Sequence, residues 1–208
     1  MGFGDNDKTV ILPYADGQRS GSSKPAPINK FNAADLSSGN LDNLVSNWSN
    51  PLISSASSLL SLVSKLRNLA FHDKVDELQM RLVREMTAFE NNALQKGVTE
   101  KEIMAGRYFI CSLGDETVMN TPWGNQSKWS QQSLLSRFYT ESWGGENFFQ
   151  ILEKMKQQPS QHLNLLELAY LCLSMGFEGK YRVSNDREGL RLIEQLRHEL
   201  YNIINRTR

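Results

Sequence analysis

GRYFICSLGDETVMNTPWG (residues 106–124), KWSQQSLLSRFYTESWGGENFFQILEKM (128–155) and HLNLLELAYLCLSMGFEGKYR (162–182) decide the fold. Each carries apolar residues at three- and four-residue steps, the spacing of one helix face. Ile110, Cys111, Leu113 and Val118 mark the first; the second predicts a helix over 130–140, with Leu134, Leu135 and Phe138, and another over 146–157, with Phe148, Phe149 and Leu152. Leu163 to Met175 is apolar on nearly every side except Asn164, Glu167 and Ser174, which predicts a central, surrounded helix. Three glycine- and aromatic-rich junctions separate these runs: Thr121–Gly124, Ser142–Glu146 and Gly176–Tyr181. An ordinary bundle needs no junctions this elaborate.

Working outward, Asn50-Pro51 is a helix start, with Asn as cap and Pro where no amide is needed. Leu52, Ala56, Leu59, Leu60, Val63, Leu66 and Ala70 continue it as one helix. Val75, Leu78, Leu82, Met86, Phe89 and Ala93 mark a second, closed by Gly97. Thr99 and Glu102 form a capping box for the third, which runs to the Pro122 break. Residues 185–205 form the last, with Leu190, Ile193, Leu196, Leu200 and Ile204 on its stripe. No period-two strand is evident. The pattern predicts an all-α fold of about seven helices. Residues 1–46 are rich in Gly, Ser, Pro, Asn and Asp and read as a disordered tail. The folded domain is expected over 47–208.

Bulk properties narrow the function. The chain has 208 residues, enough for one sizeable domain, with 39% hydrophobic and 22% charged residues. Lysine plus arginine and aspartate plus glutamate balance at 23 each, so no broad positive field exists for nucleic acid. Cys111 and Cys172 sit in apolar helical patterns and lack metal-ligand spacing with each other or with His72, His162 and His198. No signal peptide is visible, and no run of about 18 apolar residues could span a membrane.

Asp115-Glu116 is the sharpest polar feature, set among apolar residues beside Gly114. Adjacent carboxylates could serve as acid and base or hold a cation. Neighbours on a helix point about 100° apart, however, so they do not converge on one atom. The other readings are a pair that braces a neighbouring element, with Arg107 as internal counter-ion, or an acidic docking patch. A nucleophile pairing Cys111 or Cys172 with a histidine lacks anything that lowers a thiol's pKa. Gly144-Gly145-Glu146 resembles a phosphate loop only weakly; a tight corner with Glu146 at a helix start fits it better. Gly176 is expected at a left-handed C′ position, folding Phe177 back onto the core. Trp123, Trp129 and Trp143 lie in or beside junctions, where rings pin loops or face partners. Trp48 precedes the first helix and is expected to staple it.

Taken together, the chain resembles the cytoplasmic region of the DotU/TssL (IcmH) family of bacterial secretion systems. The likeness runs from Asn50-Pro51-Leu52 to about Tyr201 and includes Phe89-Glu90, Arg107-Tyr108, Cys111, Asp115-Glu116, Thr121-Pro122-Trp123-Gly124, Trp129, Ser133-Leu134-Leu135, Gly144-Gly145-Glu146, Phe148-Phe149, Leu166-Glu167-Leu168 and Gly176 to Arg182. Lys8-Thr9-Val10-Ile11 with Pro13 favours the type VI over the type IVB branch. Two positions depart: Gly106 stands where alanine is usual, and Tyr139 where histidine often follows Phe.

The resemblance implies two three-helix bundles with a cleft between them, and a single membrane span beyond residue 208 that anchors the domain in the cytoplasm. Arg206 and Arg208 would flank that span as positive-inside residues. It implies an IcmF/TssM-type inner-membrane partner and baseplate partners of the TssK-like and TssE-like kinds, and a homodimer held through the span. It implies neither catalysis nor a cofactor, so the candidate site contains no catalytic or metal-binding residue. Asp115, Glu116, Trp123 and Glu146 are the candidate partner-binding residues. Thr9 is a candidate phosphorylation site, since forkhead-associated domains read a phosphothreonine with the third residue after it, here Leu12; otherwise Thr9 to Leu12 is an apolar patch or strand that pairs with a partner. The alternatives are a type IVB homologue that stabilises its IcmF partner, a soluble helical adaptor, and a small enzyme built on Asp115 and Glu116.

Overall fold

The computed structural model describes residues 50–139, 144–183 and 187–208, which all belong to one compact unit. Thr9, Trp48, Trp143 and the expected tail over 1–46 lie outside the described residues. Among the described residues nine α-helices follow one another: α1 (Pro51–Ser55), α2 (Ser57–Arg67), α3 (Val75–Gln95), α4 (Glu100–Met119), α5 (Pro122–Asn125), α6 (Leu134–Tyr139), α7 (Asn147–Lys156), α8 (Leu163–Ser174) and α9 (Arg187–Thr207). Two 3-10 turns, Lys128–Gln131 and Gly179–Val183, join them. Among the described residues there is no strand, and the fold is all-α.

Local chemistry sets the ends. Asn50 Oδ1 accepts the amides of Leu52 and Ile53 at 2.9 and 3.1 Å, capping α1. Thr99 and Glu102 make the expected capping box on α4. Gly176 has φ 91°, the left-handed value that ends α8. Phe177 donates to Cys172 O and Gly176 to Leu173 O, and Phe177 turns inward to full burial. A side chain at 176 would also meet the Arg67 guanidinium at 2.2 Å. That group donates to the carbonyls of Met175 and Gly176 and so neutralises the end of α8.

Two expectations need correction. The first helix is not continuous: it breaks at Ala56, whose amide bonds to both Leu52 O and Ile53 O. Serines 54, 55, 57 and 58 surround the break, and Ser54 Oγ bonds back to Pro51 O at 3.2 Å, drawing the backbone out of regular register. The helix expected over 130–140 starts only at Leu134, after the 3-10 turn.

The buried residues form one core. α2, α3 and α4 pack on one another as one three-helix group, and α4, α7 and α8 as a second; α9 lies on α8. α4 belongs to both groups and also touches α5 and α6, so the centre is α4 with α8 rather than α8 alone. This explains why Tyr108 to Val118 is buried without interruption. Gly106 brings α4 close to α8: a methyl there would lie 3.2 Å from Leu168 Cδ2 and 3.5 Å from Leu52 Cδ2 and Phe89 Cζ.

That contact yields opposite expectations for its two sides. Leu168→Ala empties a fully buried site and should cost about 2–5 kcal/mol in urea unfolding. Gly106→Ala removes a mid-helix glycine, worth up to about 1 kcal/mol, and asks only a leucine methyl to yield. It should raise the unfolding midpoint; a fall would show that α4 and α8 cannot separate by a few tenths of an ångström.

Candidate functional site

The connection from Trp129 to Leu135, the stretch Gly144–Gly145 and the turn at Glu178–Gly179 meet around Asp115 and Glu116, while Thr121–Gly124 lies apart. Both side chains are buried near the end of α4, and each carboxylate holds a different stretch of backbone. Asp115 Oδ1 accepts Trp129 Nε1 at 2.9 Å and the Leu134 amide at 2.8 Å; Oδ2 accepts the Leu135 amide at 2.9 Å. Leu134 and Leu135 open α6, and Ser133 Oγ accepts the next amide, Ser136, at 3.1 Å. The first three orphan donors of α6 are thereby satisfied, two of them by a residue from another helix. Glu116 faces elsewhere. Its Oε1 accepts the Glu178 amide and its Oε2 the Gly179 amide, both at 2.8 Å, fixing the turn Gly179–Val183. Angular divergence along α4 thus lets adjacent residues serve two connecting segments.

The remaining junction is tied in through backbone. Lys180 donates to Gly145 O at 3.0 Å. At Gly144 the chain passes so close to α4 that a methyl would lie 2.4 Å from Ser112 Oγ and 2.6 Å from Leu135 Cδ1. Beneath the junctions runs a chain of rings: Phe109–Phe148 at 4.5 Å, Phe148–Phe177 at 4.4 Å and Phe149–Tyr181 at 4.8 Å. A cavity of about 130 Å³ remains among Ser112, Asp115, Glu116, Trp129, Gly145 and Phe177.

Burial pushes the Asp115 carboxyl up to about 6, against the pull of its three hydrogen bonds. Burial also raises Glu116, partly offset by the Glu178 and Gly179 amides and by Arg182. The charge nevertheless sits where amide dipoles favour it. With three bonds on Asp115 and two on Glu116, both carboxylates are engaged as acceptors and address separate targets.

The other candidates are placed apart. Trp123 is buried on the far side of α5, where Nε1 donates to Leu69 O at 2.8 Å and the ring meets His72 edge-on at 5.4 Å. It pins the link between α2 and α3 and does not line the cavity. Glu146 is exposed at the start of α7, with Gln150 Nε2 at 3.5 Å from its Oε1. Cys111 and Cys172 are buried, and burial pushes the Cys172 thiol up to about 12. No cluster of three or more His, Cys, Asp or Glu among the described residues is arranged to hold a metal.

The counter-ion expected for Asp115 is engaged elsewhere. Arg107 pairs with Glu90 at 2.6 Å, donates from Nε to Tyr139 OH at 2.9 Å, and lies over the rings of Phe138 and Tyr139. Tyr139 OH in turn donates to Met104 O at 2.6 Å, fastening the end of α6 to α4. Sequence reasoning missed this cluster and a second one, Asn50–Glu167–Arg208. The signal for each was a charged residue, Glu90 or Glu167, interrupting an apolar pattern.

Comparison with known proteins agrees with this architecture. The family model described as type VI secretion system protein DotU matches residues 51–208. Among solved structures, TssL from Vibrio cholerae is similar at 34% identity and TM-score 0.68, over 76% of this chain and 98% of that one. The cytoplasmic domain of TssL from Acinetobacter baumannii shares the fold at 23% identity and TM-score 0.69, over 76% of this chain and 99% of that one. No curated protein matches significantly.

The acidic pair gives a pH-dependent expectation. The Asp115 pKa is higher folded than unfolded, so on acidification the folded chain takes up the proton first. Its contribution to stability is greatest below about pH 4 and falls as pH rises to about 6. Asp115→Asn lacks this titration and turns an NH₂ toward backbone amides, which should cost about 1–3 kcal/mol at pH 7.5. At pH 4.5 the gap between wild type and variant should widen by about 2 kcal/mol. Urea unfolding at the two pH values checks this, and a gap that narrows on acidification would contradict it.

Proposed function

The chain belongs to the DotU family of type VI secretion system proteins, and from that premise we propose that it is a docking component of the system's membrane complex. In this reading the domain works in the cytoplasm. It joins an IcmF/TssM-type inner-membrane protein to TssK-like and TssE-like baseplate components. No helix among the described residues is long and apolar enough to cross a membrane; the proposed anchor is a single span following residue 208. The role is structural and not catalytic.

The observation that supports docking is the gathering of three connecting segments, Trp129–Leu135, Gly144–Gly145 and Glu178–Gly179, around one buried acidic pair. Loops positioned by a rigid scaffold are where binding residues concentrate. Asp115 and Glu116 would then act by shaping the docking surface, and Trp123 by fixing the neighbouring link. Glu146, exposed beside the Lys180–Gly145 tie, would make direct contact. Thr9 remains a proposed regulatory phosphorylation site, tested by titrating a peptide over residues 4–19, with and without phosphate, against a forkhead-associated domain.

Binding of the purified domain to the soluble part of its IcmF/TssM-type partner and to a TssK-like subunit tests the reading. Wild type should bind at least one of them. Glu146→Lys should weaken that binding about tenfold, and more at low salt, with unchanged thermal stability. A wild-type domain that binds neither subunit would overturn the docking role; a Glu146→Lys domain that binds normally would remove Glu146 from the surface.

If family members pair through the membrane span, this chain should sediment as a monomer at micromolar concentration. A dimer that persists at nanomolar concentration would move the pairing surface onto the helical domain.

A further inference from the structure

Helix α1 is too short to hold itself: five residues close too few internal hydrogen bonds to be stable alone. Its Leu52 and Ile53 are nevertheless fully buried, and Leu52 packs beside Gly106 with Phe89 and Leu168 in the core. Asn50 fixes the start of this helix. Its Oδ1 caps the Leu52 and Ile53 amides, so its Nδ2 must find acceptors on the opposite side. It finds Asn164 O at 2.9 Å and Glu167 Oε2 at 2.8 Å, both in α8. Glu167 is the one carboxylate of the largely apolar α8, and it is buried. Its second oxygen, Oε1, takes Arg208 Nε at 2.8 Å and Nη2 at 2.7 Å, at the end of α9.

We propose that Glu167 is a latch joining the end of α9 to the start of α1. Arg208 holds the carboxylate, the carboxylate orients the Asn50 amide, and the amide holds the first turn of α1. Without Arg208 a buried carboxylate keeps only an amide partner, and a buried charge stripped of its counter-ion relaxes toward water. Glu167 then moves and the Asn50 cap loses its orientation. Lys96 Nζ still donates to Ser54 Oγ at 2.7 Å, so the far end of α1 stays tethered while its first turn loosens. Whatever grips or tilts the end of α9 is therefore felt at α1, whose release uncovers apolar surface around Phe89, Gly106 and Leu168. The latch uses contacts within this chain alone and stands apart from the docking proposal.

Hydrogen exchange on the 208-residue chain tests it. Arg208 is more than half exposed, so Arg208→Ala leaves the core intact. Exchange at residues 52–56 should accelerate about tenfold, the loss of one charge-assisted bond, while α4 and α6 stay unchanged. Arg208→Lys should recover part of the protection. In a Glu167→Gln background, where no buried charge needs Arg208, Arg208→Ala should change exchange at 52–56 by less than about twofold. The latch is overturned if Arg208→Ala leaves residues 52–56 unaffected, or if exchange rises equally in every helix. It is also overturned if the effect is undiminished in the Glu167→Gln background.

Discussion

Two adjacent carboxylates in the middle of a helical protein, each holding two backbone amides of a connecting segment, are the constraint on which the rest of this structure depends. Helices satisfy their own backbone; the connections between them do not, and a connection pulled into the core must find acceptors for its donors. Asp115 and Glu116 supply them to two junctions at once. Burial opposes the charge, as the raised Asp115 pKa records, but orphan amides would be worse: each buried unsatisfied donor costs about 1–3 kcal/mol. The aromatic chain from Phe109 to Tyr181 packs beneath the junctions thus fixed.

Much of the fold was legible because helix ends are local chemistry. Asn50-Pro51, Thr99 with Glu102 and the Gly176-Phe177 pair each act within a few residues, and each does in the structure what its type predicts. The apolar periodicity located the core, including Leu82, Phe89, Ile110, Leu134, Phe148, Leu168, Cys172 and Leu196. The break at Ala56 was hidden because the apolar stripe continues across it while the serines act on the backbone.

The site was legible only in part. Asp115 and Glu116 stood out as charges in an apolar run, and their divergence was predictable from helix geometry. Their partners were not, since Trp129, Leu134, Leu135, Glu178 and Gly179 come from connections whose path is a tertiary property. Arg107 shows the same limit. It sits two turns from Asp115 on roughly one face, yet its nearest carboxylate is Glu90 on the neighbouring α3. Choosing between those partners requires knowing how α3 and α4 pack. In a DotU-family protein this matters for function, because the junctions that the acidic pair holds are the proposed docking surface.

The most direct measurement of that account is residue-resolved amide exchange at Leu134, Leu135, Glu178 and Gly179 near neutral pH. If Asp115 and Glu116 hold these amides as described, all four should be protected to within about tenfold of the α4 core amides, although none is bonded within a long helix. Exchange at rates close to those of an unstructured chain would contradict the account, because the junctions would then be held by ring packing and the carboxylates would be bystanders.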